Sequence, residues 1–214
     1  MRTFETPLGK IKFKHLGHAS LLIEWSGQNI FVDPYSEVCN FSQQPKADLI
    51  LVTHHHFDHL DPKALKEIVQ ESTLYIASVI AAKELPGATP LAQGESTTYK
   101  GIEIEAKFAY NIVQKNEEGN PFHPKGEGNG YLLNFGGFKL YIAGDTELIP
   151  EMEQLGEIDL AFIPKNLPYT MSDDMFVEAV ELIRPKQLFA YHYFEIDPQK
   201  LREKMPKGVE LLNR

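Results

Sequence analysis

Residues 51–62 read LVTHHHFDHLDP: the end of an apolar run, then four histidines and an aspartate within positions 54–59, then Asp61-Pro62. The chain has only eight histidines in all, so half of them sit in this one turn. A solvated loop gains nothing from such a cluster, and burying it is costly unless something pairs its lone pairs. The residues before it, ADLILVT (47–53), form a nearly continuous apolar run rich in branched side chains, as in a strand covered on both faces. The residues after it, DPKALKEIVQES (61–72), predict a helix with Asp61 as N-cap and Pro62 at the first helical position, and with Leu65, Ile68 and Val69 on one stripe.

Working outward, SLLIEWSGQNIFVDP (20–34) places two apolar runs around Ser26-Gly27-Gln28-Asn29 and predicts a β-hairpin. TLYIAS (73–78) predicts a strand, and VIAAKEL (79–85) a short helix ended by Pro86-Gly87. From 88 to 110 the pattern turns β-like, including the alternating GIEIEAKFAY. Residues 111–130, rich in Gly, Pro and Asn, predict the longest loop, of a length that compact domains usually keep for function or leave disordered. YLLNFGGFKLYIAGDT (131–146) predicts a second hairpin turning at Gly136-Gly137, followed by a helix and the strand IDLAFIP (158–164). Ser172 caps DDMFVEAVELIR, which stops at Pro185; QLFAYHY (187–193) is strand-like, Asp197-Pro198 starts QKLREKM, and VELLN closes the chain. Strands alternating with helices after an initial hairpin region give an α/β class with mixed sheets. With no strong internal repeat and no low-complexity linker, 1–214 is expected to be one domain.

Composition sets the outer limits. At 214 residues the chain can bury a substantial core. A net charge of −9 argues against an open nucleic-acid surface without excluding a local basic pocket. The N-terminal residues show no signal-peptide pattern, and no stretch approaches the roughly 18 apolar residues of a membrane helix. Cys39 is the only cysteine, which precludes an intramolecular disulfide and makes the cytoplasm the default compartment.

In an extended segment alternate side chains share a face, so His54 and His56 point together and His55 points away. Two neutral imidazoles on one side make half of a divalent-metal site, and Asp58 and His59 offer a carboxylate and a further imidazole as the chain turns. One four-coordinate ion has no need of them all; His-x-His-x-Asp-His suggests two metals in one pocket.

THHHFDHLD matches the His-x-His-x-Asp-His motif of the metallo-β-lactamase superfamily, and the resemblance runs along almost the whole chain. HLGHASLLIEWSGQNIFVDP is similar to the opening hairpin of the branch that includes the ascorbate-6-phosphate lactonase-like proteins. YIAGDT resembles the superfamily's bridging-aspartate segment, and LFAYHY its last histidine segment. The resemblance implies a four-layer αββα sandwich of two mixed β-sheets with the metals at one edge. It also implies that His54 and His56 hold a first metal, that Asp58, His59 and His192 hold a second, and that Asp145 bridges them. A carboxylate after Gly144, at the end of the strand KLYIA, is placed to offset the charge of both ions. The third ligand of the first metal is expected from His123 in NPFHPKGEGNG, because Asn111 stands where a histidine is usual. The alternative leaves His123 exposed and the first metal completed by substrate. His18 and Asp33 either support ligands or serve packing and a turn. His55 is expected to be structural, His15 and Cys39 give no signal, and Lys165 and Asn166 follow a strand where substrate loops often lie, although a solvated lysine is the plainer reading of Lys165.

Two close divalent ions lower the pKa of a bridging water and polarise a carbonyl or phosphoryl oxygen. Asp58 is then the candidate catalytic residue, orienting the nucleophile or accepting its proton. No G-x-S-x-G motif is present and Cys39 has no activator. The expected activity is metal-dependent hydrolysis of an ester, lactone or phosphoester bond of a small molecule. The expected cofactors are two divalent ions, zinc first, with manganese or iron as alternatives. A membrane partner is not expected, nucleic acid is disfavoured, and a homo-oligomer stays open. Two rival readings are a mononuclear iron dioxygenase on the same fold and a non-catalytic metal-binding protein.

Overall fold

A computed structural model of the chain describes residues 2–213. Two seven-stranded sheets carry the fold. The first comprises β1 (Arg2–Phe4), β2 (Ile11–Gly17), β3 (Ser20–Trp25), β4 (Gln28–Val32), β5 (Leu49–Val52), β6 (Leu74–Ala77) and β7 (Thr89–Pro90), in that spatial order. The second comprises β8 (Ser96–Tyr99), β9 (Ile102–Ala109), β10 (Gly128–Phe135), β11 (Phe138–Ile142), β12 (Leu160–Pro164), β13 (Gln187–Tyr191) and β14 (Glu210–Leu211). Each sheet opens with antiparallel pairings and finishes with parallel ones, so the two halves of the chain repeat one topology. The sequence shows no comparable repeat, because pairing order constrains hydrophobic period and turn chemistry rather than residue identity.

Side-chain alternation builds the layers. Ile30, Val32, Leu49 and Leu51 face Leu140, Ile142, Leu160 and Phe162 in the core between the sheets. Their neighbours Phe31, Ile50 and Val52 point the other way and pack under α1 (Pro62–Ile68). Tyr141, Ala161, Ile163, Leu188 and Ala190 likewise pack against α2 (Asp173–Ile183) and α3 (Pro198–Glu203). Three apolar interfaces separate four layers, helix, sheet, sheet, helix.

The hairpin turns form where the sequence places them. Ser26-Gly27 and Gly136-Gly137 all have positive φ, as a two-residue turn between twisted strands requires. The first turn is tighter than expected, with Gln28 already in β4. Asp61 caps α1 through Lys63 N at 2.8 Å, but the helix ends at Ile68, since Val69 is extended. Two expected α-helices, 79–85 and the one after 146, are 3₁₀ turns instead (Ala81–Lys83 and Pro150–Leu155). The first is a single three-residue turn, and the second ends at Gly156, whose φ of +67 leaves the helical region. β10 starts at Gly128 rather than 131, because Gly128, Asn129 and Gly130 pair with Ala109, Phe108 and Lys107.

Gly144 follows β11 with φ +68, and a Cβ there would meet the carbonyl oxygen of Asn129. Gly144→Ala is therefore expected to cost roughly 3 kcal/mol or more of stability, measured by denaturant unfolding. A loss below about 1 kcal/mol would mean that β10 and the turn after β11, neighbours in the second sheet, can move apart at this point.

Candidate metal centre

The parallel strands β4, β5, β11, β12 and β13 all end at the same rim, and each end delivers a polar residue to it. In open parallel sheets this carboxyl-end crevice is where ligands bind. β5 ends at Val52 and is tied to the second sheet there: Tyr131 Oη donates to Val52 O at 2.7 Å, and Asn129 N to Thr53 O at 2.8 Å. The chain then turns tightly, with His59 N and Leu60 N both donating to His56 O. That turn gathers the histidine cluster into one place.

Ligand-capable atoms of His54, His56 and His123 lie within 4.8 Å of one another, and those of His18, Asp58, His59 and His192 form a second such group. A third, overlapping group is His54, His59 and Asp145. Asp145 lies between the others: its Oδ2 is 2.9 Å from His192 Nε2 and 3.4 Å from both His59 Nε2 and His123 Nε2. All seven residues expected to ligate metal are thus brought together. His123 is buried, not exposed, and it reaches the same group as His54 and His56.

The far nitrogens explain the ring orientations. His123 Nδ1 donates to Asn111 Oδ1 at 2.7 Å, and His59 Nδ1 to Asp33 Oδ2 at 2.8 Å. Each bond fixes a tautomer and turns Nε2 toward the centre. Asp33 also accepts from Thr53 N and Thr53 Oγ1, so its fully buried carboxylate is held by the cluster's own strand end. His18, with φ +50, places Nε2 2.9 Å from Asp58 Oδ2 and accepts His192 N at its carbonyl. Asn166 is buried with Nδ2 3.3 Å from His192 Nδ1. His55 belongs to none of the groups, and Lys165 is paired with Asp173 at 2.6 Å. His15 Nε2 donates to His18 O, and Cys39 lines a separate surface depression.

Protonation follows the same geometry. Burial pushes His54 well below the usual imidazole range and His123 down to about 4, so both are neutral near pH 7 with lone pairs to give. Burial would lower His59 as well, but Asp145 and Asp33 outweigh it and hold the ring well above that range. Burial opposes ionisation of Asp145, yet His192 and His59 keep it well below the usual carboxylate range. The carboxylates draw positive charge to this spot.

The donors fit divalent metal. His54 Nε2 and Asp145 Oδ1 are buried without a hydrogen-bond partner among the described residues. Buried polar atoms are rarely left so, and both belong to residues of the His/Asp cluster. Imidazole and carboxylate donors suit zinc, manganese and iron.

Sequence reasoning misses Asn111 as the anchor of His123. Asn111 also accepts from His123 N, and its own N–H donates to His123 O, so a twelve-residue excursion returns to one side chain. The sequence signal is the asparagine standing where a histidine was expected. Asn111→Ala should weaken zinc binding about 10–100-fold in calorimetric titration, because His123 loses its orienting partner. Unchanged affinity would show that the loop alone holds the ring.

Residues 12–192 match the family model described as the beta-lactamase superfamily domain. A UPF0173 metal-dependent hydrolase of Thermus thermophilus is 31% identical, with 94% of each chain covered. Among solved structures, a protein from Parabacteroides distasonis described as a metal-dependent hydrolase superposes with a TM-score of 0.92 at 38% identity, covering 98% of this chain and 96% of that one. The metallo hydrolase Igni18 from Ignicoccus hospitalis shares the fold, with a TM-score of 0.74 at 21% identity, covering 94% of this chain and 93% of that one.

Proposed function

The chain belongs to the metallo-β-lactamase superfamily of metal-dependent hydrolases, and we propose that it uses two divalent ions to hydrolyse an ester, lactone or phosphoester bond of a small molecule. His54, His56 and His123 would hold one ion; Asp58, His59 and His192 would hold the other, with Asp145 shared between them. The single observation that carries this reading is the pair of donor groups meeting at Asp145. When bound, such ions supply hydroxide near neutral pH and stabilise negative charge developing on the substrate oxygen.

The chain's own residues do the rest. Burial opposes ionisation of Asp58, but the hydrogen bond from His18 and the charge of His59 keep its carboxyl below the usual range. Partly exposed at the mouth of the site, an ionised Asp58 orients the attacking water and accepts its proton. The water oxygen bonds to the carbonyl or phosphoryl centre, the bond to the leaving alcohol oxygen breaks, and that oxygen takes up the proton. His18 fixes Asp58 for this task, and Asn166 fixes His192. Zinc is the first choice of metal, with manganese and iron as alternatives. The three histidines gathered at the first position support the two-ion reading over the single-iron one.

The test is removal and return of metal. Chelated protein should lose ester and lactone hydrolysis and regain it with zinc or manganese. Oxygen uptake restored by iron alone would refute hydrolysis in favour of the oxygenase.

A further inference from the structure

The metal centre opens into a cavity of about 460 Å³, within the usual range for small-molecule sites. Tyr35, Phe57, Phe122, Tyr169, Tyr193 and Phe194 form its wall and rim. Its remaining polar lining comes from His18, Asn166 and the proposed ligands. Among the described residues, no lysine or arginine lines it. Lys165, close in sequence to Asn166, is held by Asp173.

From this lining we infer that the substrate is an uncharged small molecule in which a planar, apolar group stands next to a hydrolysable carbonyl. This deepens the hydrolase reading and rests on it for the metal pair. A substrate carrying a phosphate or carboxylate away from the reacting bond needs a cationic partner, because a desolvated anion without one is strongly disfavoured. The cavity offers none, and a chain of net charge −9 repels anions at longer range.

The aromatic wall offers a surface for a flat apolar group. Phe57 and Phe194 are 75% and 76% exposed and Tyr169 is 40% exposed, although all three line the cavity. Phe57 lies edge-on to Tyr35 at 6.1 Å between ring centroids, and Phe122 edge-on to Tyr169 at 5.1 Å. These two pairs leave ring faces and edges free at the mouth. A flat apolar group entering there is covered by offset and edge-to-face contacts, and water leaves the exposed rings. Among the described residues Asn166, bound to His192, is the one amide on the wall; it and the tyrosine hydroxyls offer hydrogen bonds but no positive charge.

The probes are 2-acetylnaphthalene, a neutral aryl ketone that cannot be hydrolysed, and 6-acetylnaphthalene-2-sulfonate, the same ketone with a remote anion. Calorimetric titration into zinc-loaded protein should show the neutral ketone binding at least about tenfold more tightly. Phe57→Ala and Phe194→Ala should each weaken it about five- to tenfold, with metal content unchanged. Both side chains are exposed, so neither truncation threatens folding. Equal or tighter binding of the sulfonate overturns the inference, as does an unchanged Kd in both variants. A Kd unchanged in both variants while self-association is lost would reassign the rings to a contact between copies. Because neither probe is cleaved, a protein that binds the ketone as expected yet hydrolyses nothing sinks the hydrolase reading alone.

Discussion

Asp145→Asn should strip the centre of metal, lowering zinc affinity more than a hundredfold and hydrolysis with it. The substitution keeps the shape of the side chain, removes its charge and turns one of its two acceptor oxygens into an NH2 donor. Asp145 Oδ2 faces three imidazole nitrogens within 3.4 Å, and Oδ1 has no partner among the described residues. A unit charge pair at about 4 Å is worth roughly 4 kcal/mol at an effective dielectric of about 20, and a carboxylate shared by two ions acts on both. If Asp145 served only to orient His192 and His59, an amide oxygen would do nearly as well and affinity would move by less than about tenfold. Zinc titration of the variant separates these outcomes directly, and its circular dichroism guards against a folding defect.

The second large effect falls on turnover rather than on the fold. Asp58→Ala should reduce kcat by about 10²–10⁴-fold, the usual worth of a positioned proton acceptor. Its carboxylate is partly exposed in the cavity and bonded to His18, so truncation leaves the core between the sheets intact. Metal at the position of His59 and His192 should also weaken, since one donor of that group is gone. A variant that kept both full metallation and full activity would refute the assigned role.

Much of this architecture was legible because local rules and tertiary demands agree. The run LILV is buried on every side chain in β5, and the alternation of β9 and β11 follows the core face of the second sheet. Asp61, Ser172 and Asp197 each cap the helix the sequence assigned to them. The histidine turn was legible because its residue types have no plausible purpose in a solvated loop. Other features depend on long-range contacts that leave little local trace. Glu147 binds Ile112, Val113 and Gln114 through their N–H groups and anchors the start of the loop that carries His123. Nothing in the order of those residues announces it. The strands β1 and β2 went unassigned, although Ile11, Lys12, Phe13 and Lys14 alternate between core and solvent as in a half-buried strand; β1, three residues at the sheet edge, leaves no such trace. The aromatic rim escaped for a simpler reason: Tyr35, Phe122, Tyr169 and Phe194 come from four separate loops, and only the fold places them around one opening.

The most direct test of the central claim is metal content per chain, measured by elemental analysis on untagged protein, wild type beside His123→Ala. About two zinc or manganese ions are expected in the wild type, falling toward one in the variant, since only the group of His54, His56 and His123 loses a donor. A single iron unaffected by the substitution would contradict the dinuclear centre and leave His123 as a buried residue of the loop.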